Sequence, residues 1–213
     1  MGDLGGTTPR QFDWDALGTP DRSGGTAPTL VMGVGNLLMR DEGAGPATVA
    51  LLAEGFDFSE SVELADAGTM GYMILDLLRG RERLLVIDAI KDTGLDPGTV
   101  VLLTPEDIAP NAVLHSMHDL RLIDVLQSAA LLGATPQTMC VGIQIDAIEE
   151  WVTELSEPVA RAIPAAAGIA LSVLTEWGIT PEPIESSDVP ARIAEAMDRL
   201  EPLGAEGDRG AAG

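Results

Sequence analysis

The sequence of 213 residues has few aromatic side chains, a single cysteine and a single lysine. Aromatic residues make up 3% of the chain, so its core must be built from aliphatic side chains, alanine and methionine. The lone cysteine, Cys140, excludes an internal disulfide, fits a reducing compartment and lies in an apolar stretch typical of a core strand. The chain lacks H-E-x-x-H, G-x-S-x-G and any cysteine cluster for structural zinc, which argues against those classes of hydrolase and metal site.

Membrane and export signals are also missing. No segment approaches the apolar length that we expect of a bilayer-spanning helix. The N-terminus shows no basic stretch followed by an apolar run, so we expect no signal peptide and a cytoplasmic protein. The formal net charge of −22 disfavours nucleic acid and anionic membranes as partners, whereas it favours cations and basic peptides.

Composition divides the chain into three regions. Residues 1–27 are rich in Gly, Thr, Pro and Asp and predict a flexible N-terminal arm. Residues 203–213 predict a flexible C-terminal tail. The length of 28–202 predicts one domain between them.

Apolar strands alternate with helical patterns inside this domain. The strands expected are 29–34, 61–65, 84–89, 99–103 and 138–143, and the helices expected are 46–52, 70–79, 119–132, 156–177 and 189–200. Because the strands are apolar throughout, the pattern predicts an α/β fold with a mostly parallel sheet covered on both faces. Ligands of such sheets bind beyond the carboxyl ends of the strands, near the point where the strand order reverses.

A glycine-rich loop, residues 33–45, follows the first expected strand and carries two adjacent acids, Asp41 and Glu42. Leu38 replaces the third glycine of a dinucleotide-binding fingerprint, and no Gly-Lys-Ser/Thr follows, so nucleotide binding is disfavoured. Acids before a helix can simply stabilise its positive N-terminal end. That alternative suits one acid better than two within one glycine-rich loop.

Two more residues complete a candidate metal site. Asp88 ends the most apolar expected strand, where a carboxylate needs a cation or strong hydrogen bonds unless it caps the next turn. His118 follows Ser116 in a capping-box pattern, which predicts a neutral imidazole near a helix start, with a surface histidine as the alternative. Glu42, Asp88 and His118 together would provide three ligands for a divalent metal, although spacing does not prove that they converge.

These segments resemble, in order and spacing, the nickel–iron hydrogenase maturation endopeptidase family. The similar stretches are 33–45, 66–71, 86–89, 116–126 and 141–144, of which the first reads GVGNLLMRDEGAG. Together they span nearly all of the expected domain. The resemblance implies a three-layer α/β/α sandwich with a twisted, mostly parallel central sheet. Ala67 stands where the family usually has glycine.

The resemblance also implies a reaction: removal of the C-terminal extension from the nickel-loaded precursor of a hydrogenase large subunit. Glu42, Asp88 and His118 match the residues that contact nickel, which the substrate is expected to bring. Asp66, Gly68 and Thr69 match a substrate-recognition loop, and the family implies a monomer. Two hypotheses for activating water stay open, one through the metal and one with Asp41 or another site carboxylate as general base.

Other functions also stay open at this point. One is a noncatalytic chaperone that binds nickel or the precursor on the same scaffold, and another is a nucleotide-binding enzyme. A third is a peptidase for a different protein, such as a spore protease, although the G-N-x-L-x-x-D-E string and His118 favour the hydrogenase branch. A basic C-terminal extension on the substrate would explain the acidic excess, and cleavage would then slow as ionic strength rises.

Overall fold

The computed structural model describes residues 27–69, 74–108 and 122–200. The strands in these ranges are β1 (Thr29–Val34), β2 (Phe56–Asp57), β3 (Val62–Gly68), β4 (Arg83–Ile90), β5 (Val100–Leu103), β6 (Gln137–Gln144) and β7 (Glu182–Pro183). The helices are α1 (Ala44–Gly55), α2 (Ile74–Leu78), α3 (Pro105–Ile108), α4 (Leu122–Leu131), α5 (Glu157–Glu176) and α6 (Val189–Asp198). A 3-10 turn, Arg40–Gly43, leads into α1.

Five strands form one sheet in the order β3-β1-β4-β6-β5. Neighbouring strands are parallel except for β5, which runs antiparallel to β6. The strand order reverses between β1 and β4, because the chain leaves β1 towards β3 on one side and then crosses back to β4 on the other. The carboxyl ends of β1 and β4 therefore border the crevice where a sheet of this kind binds its ligand.

Helices cover both faces of the sheet. On one face α1, α5 and α6 pack over a buried layer that includes Val31 and Leu85. On the other face α2 and α4 contact each other over a layer that includes Leu30 and Leu84. Successive side chains of a strand point to opposite faces, so strands that are apolar throughout feed both layers. The predicted three-layer α/β/α sandwich is confirmed.

Element boundaries agree with the sequence prediction to within a few residues. Strand β4 continues beyond Asp88, because Ala89 and Ile90 still pair with β6, so Asp88 lies inside a central strand. Helix α1 begins at Ala44, two residues before the expected start, and Pro46 is tolerated in its first turn. The predicted segments 70–73 and 119–121 lie outside the described residues, and so do most of the expected arm and the whole tail.

Helix α5 corrects one expectation. It has 20 residues, and among the described residues it is the one helix long and apolar enough to cross a membrane by length and composition. The expectation that no segment approaches this length is therefore wrong. In the structure 56% of the apolar window is buried, and α5 packs on α1, β6 and α6. These contacts identify α5 as a helix of the core. Core helices also meet the criteria of length and composition for a membrane span.

Candidate active site

The loop between β1 and α1 lies directly on the strand ends because its glycines allow close backbone approach. A Cβ on Gly45 would overlap the carbonyl oxygens of Val34 and Ile87, which belong to β1 and β4. Gly35 has a φ of 146°, and a Cβ there would overlap the carbonyl oxygen of Glu42. The loop therefore folds back on itself and holds Glu42 at the crevice between β1 and β4.

Asp41 anchors this loop to α5. Its carboxylate accepts hydrogen bonds from the Ser156 backbone N–H at 2.6 Å and from the Ser156 hydroxyl at 2.8 Å. Ser156 is the residue that precedes α5, so the carboxylate lies at the positive end of that helix. Both oxygens are engaged and the residue is fully buried. This arrangement favours a positioning role for Asp41 over the general-base role proposed from the sequence.

Glu42 is also buried, but no described residue holds its carboxylate as Ser156 holds that of Asp41. Its side chain is 4% exposed, and within the described residues the Oε2 oxygen is buried with no hydrogen-bond partner. Burial raises the pKa of the Glu42 carboxyl, and the positive charge of Lys91 lowers it. An unpaired buried carboxylate oxygen is costly, so this oxygen marks a place where a cation or a donor would be bound with a gain in free energy.

Asp88 adds a second buried carboxyl close to Glu42. Burial raises the pKa of Asp88 well above its usual value, the Ala89 backbone N–H that bonds it lowers the pKa, and the charge of Glu42 raises it again. Asp88 is 8% exposed and lies two residues after Val86 in β4, which places it on the sheet face covered by α2 and α4, whereas Ile87 and Ala89 point to the other face. Its charge, after burial itself, also raises the pKa of Cys140 on the neighbouring strand.

Two buried carboxyls that repel each other suit the binding of a divalent cation, which would neutralise both. No group of three His, Cys, Asp or Glu side chains within the described residues could hold a metal, so this pair offers two candidate ligands only. His118 lies outside the described residues and stays a prediction as the third ligand. Described α4 begins four residues after His118, and it leads into β6, so its start faces the carboxyl edge of the sheet.

The predicted recognition loop lies beside the same crevice. Asp66 accepts a hydrogen bond from the Gly68 N–H at 2.8 Å, and the Gly35 N–H donates to the Gly68 carbonyl at 3.2 Å. Burial raises the pKa of Asp66, and the bond from Gly68 lowers it. Positive φ falls on Gly68, at 48°, so Ala67 is buried in β3 at no conformational cost. Thr69 is exposed at the end of this stretch.

A second segment, residues 147–156, holds in place the acidic loop, which is the stretch 35–43 that carries Asp41 and Glu42, and the sequence analysis does not identify it. Val152 accepts from the Arg40 N–H at 2.7 Å, and the Arg40 guanidinium bonds Glu149 at 2.8 Å. The Asp41 N–H also donates to Ala147, at 3.4 Å. These partners are more than 100 residues apart in the chain, as the separation of 109 for Arg40 and Glu149 shows, so no local pattern could reveal them.

Comparison with known proteins identifies the family. The hydrogenase maturation protease family matches residues 46–173, which is more than half of the chain. The hydrogenase expression/formation protein HupD of Rhizobium leguminosarum bv. viciae is 34% identical over 174 residues, covering 79% of this chain and 85% of the relative. The chain belongs to the hydrogenase maturation protease family. The matched range contains Asp66, Asp88 and His118 and begins after Glu42.

Solved structures of this family share the fold. The hydrogenase maturating endopeptidase HybD from E. coli superposes with a TM-score of 0.67 at 31% identity, covering 75% of this chain and 99% of HybD. HybD from Thermococcus kodakarensis, a [NiFe] hydrogenase maturation protease, gives 0.58 at 30% identity over 68% of this chain and 97% of its own. The predicted family, fold and peptide-hydrolase activity are therefore confirmed. The predicted nickel contacts, site roles and location are not tested by these similarities.

The neighbouring acids Asp41 and Glu42 give a test of their separate roles. We expect Asp41→Asn to keep cleavage within about tenfold of wild type, because asparagine still accepts the Ser156 N–H. Loss of a general base would instead slow cleavage by about 10²–10⁴-fold. Glu42→Gln is the matched change of charge and should abolish cleavage. Initial cleavage rates of both variants distinguish the two roles. An Asp41→Asn enzyme that is folded but inactive would support the general-base role of Asp41.

Proposed function

We propose that this protease removes the C-terminal extension from the nickel-loaded precursor of a nickel–iron hydrogenase large subunit. Glu42 and Asp88 recognise the nickel that the substrate carries, and His118 supplies a third ligand. The observation that carries the proposal is the buried Oε2 of Glu42, which has no hydrogen-bond partner among the described residues and lies beside a second buried carboxyl that it repels. A divalent cation on the substrate removes this repulsion, so the loaded precursor gains binding energy that the empty precursor lacks.

The residues around the pair position the substrate. Cation binding favours the ionised form of Glu42 and Asp88, because carboxylates bind metals in that form. Asp66, Gly68 and Thr69 border the same crevice and contact the peptide near the scissile bond. Nickel supplies Lewis-acid polarisation of the substrate there. The free thiol of Cys140 suits the reducing cytoplasm, which is the location that we propose for a monomeric enzyme.

The intact mass of a large-subunit precursor before and after incubation tests the proposed function. The nickel-loaded precursor and the same precursor without nickel are incubated with this protein in parallel. We expect loss of one C-terminal peptide from the loaded form alone. Loss from both forms would contradict recognition of the metal. An unchanged mass in both forms would contradict the reaction and favour a noncatalytic chaperone of the precursor.

A further inference from the structure

Two large apolar side chains are exposed at the rim of the site. Trp151 is 80% exposed and Leu38 is 48% exposed, whereas few other large apolar side chains are exposed in the described part of the chain. The Trp151 backbone N–H donates to the Leu38 carbonyl at 2.7 Å, so the structure places the two residues side by side. Tryptophan is enriched among the residues that contribute most to binding at protein interfaces.

The backbone holds Trp151 in a conformation that costs free energy. Its φ is 66°, a region that bulky L-residues rarely adopt. Arg40, in the neighbouring 3-10 turn, also has a positive φ, of 53°. A parallel bridge between Met39 and Val152 and the ion pair between Arg40 and Glu149 fix both segments. Strained backbone of this kind is concentrated at ligand-binding and catalytic sites.

The surrounding charge selects the kind of partner. Residues 146–154 carry four acids and no lysine or arginine. All four acids are exposed, namely Asp146, Glu149, Glu150 and Glu154. Glu149 pairs with Arg40, whereas the other three form no ion pair with any described residue. A peptide with lysine or arginine beside an apolar side chain complements such a surface.

This surface is continuous with the acidic loop. Leu38 and Arg40 precede Glu42 in the same loop, and the Asp41 N–H donates to Ala147 in the segment that carries Trp151. A chain bound across Leu38 and Trp151 therefore lies within a few residues of the carboxyl pair. A second copy of this protein is a poor occupant, because each copy carries a net charge of −22 and would bring the same acids to the contact.

We propose that Leu38 and Trp151, with the acids of 146–154, form the docking surface for a segment of the hydrogenase precursor that carries an apolar side chain flanked by lysine or arginine. The inference rests on the proposed function and names the contact that brings the substrate chain to the site. Docking here strengthens binding of substrate and of the reacting complex equally, so it lowers KM and leaves kcat unchanged.

The test is steady-state cleavage of the nickel-loaded precursor by Trp151→Ala, Leu38→Ala and Glu150→Lys. We expect each variant to raise KM at least about tenfold with kcat within about twofold of wild type. Leu131→Ala is the matched control, since Leu131 is 89% exposed at the end of α4 that leads to the opposite edge of the sheet. Its KM should equal that of wild type.

Trp151→Gly separates docking from a structural role. Glycine adopts positive φ freely, so this variant should keep or raise the melting temperature while KM rises as in Trp151→Ala. An unchanged KM in both Trp151 variants, with normal wild-type cleavage, would overturn the docking surface and leave the proposed function intact. A wild-type protein that cleaves no precursor fails the proposed function instead. A dimer in sedimentation that Trp151→Ala converts to monomer would assign the surface to self-association and overturn the inference.

Discussion

Replacing Asp88 with asparagine should abolish cleavage and stabilise the fold at neutral pH. Burial and the charge of Glu42 both penalise the ionised form of Asp88, and the pKa of this carboxyl is raised well above its usual value. Asparagine keeps an oxygen for the Ala89 N–H and removes the charge. We expect cleavage to fall by about 10³-fold or more. The free energy of unfolding should rise by roughly 1–3 kcal/mol, because the substitution removes a carboxyl whose charge is unfavourable in the buried site.

The pH dependence fixes the sign of this effect. A carboxyl whose pKa is higher in the folded than in the unfolded state favours folding below its unfolded pKa, and this contribution is lost as pH rises through the folded pKa. Wild type should therefore lose stability relative to Asp88→Asn from weakly acidic towards neutral pH. Urea unfolding of both proteins across that range measures the difference.

A surface acid provides the control for this experiment. Asp57 is exposed in β2, so Asp57→Asn should leave the cleavage rate unchanged and should alter the free energy of unfolding by no more than about 0.5 kcal/mol. If Asp88→Asn cleaved the precursor at the wild-type rate, a role of Asp88 in the active site would be contradicted. Equal stability of wild type and Asp88→Asn at every pH would show that the folded protein does not disfavour the ionised form of Asp88.

Gly45→Ala should lower the free energy of unfolding by more than any surface substitution does. The added methyl group would overlap the carbonyl oxygens of Val34 and Ile87, which are backbone atoms of two central strands and cannot rotate away. We expect a loss of about 3–5 kcal/mol in the free energy of unfolding. For a domain of this size the melting temperature should fall by roughly 6–20 °C. Differential scanning calorimetry of both proteins measures the shift.

Gly133→Ala is the control for glycine chemistry. Gly133 has a φ of 81°, and a methyl group there would meet no atom within 4 Å. It should cost only about 1–2 kcal/mol, the price of left-handed backbone for alanine. Equal losses in the two variants would mean that backbone conformation and not contact with β1 and β4 explains Gly45.

Much of the fold could be predicted because it depends on local pattern. Continuous apolar runs identify β1 and β4, and their burial on both faces requires helices on both sides. The short pair of β2 and β7 and the antiparallel direction of β5 could not be predicted, since two to four residues carry no periodicity. The extent of α5 agrees with the predicted helix 156–177, but its apolar window escaped notice because Arg161 and Pro164 interrupt it.

The candidate site could be predicted only in part, for the same reason. The sequence identifies Glu42 and Asp88 because Glu42 lies in the glycine-rich loop after an apolar strand and Asp88 is an acid within an apolar stretch. It cannot separate the roles of Asp41 and Glu42, because only Ser156 distinguishes them and it lies far along the chain. Trp151 gives no signal at all, since its meaning depends on pairing with Leu38.

The ties between the acidic loop and residues 147–156 have a consequence for timing. Because Asp41 and Arg40 are held by Ser156, Val152 and Glu149, the shape of the loop is set when the chain folds and not when a substrate arrives. The repulsion between Glu42 and Asp88 is then already in place in the resting enzyme. In the proposed function, this stored repulsion works as an inspection step: a precursor that arrives without its metal offers nothing to relieve it and leaves uncut.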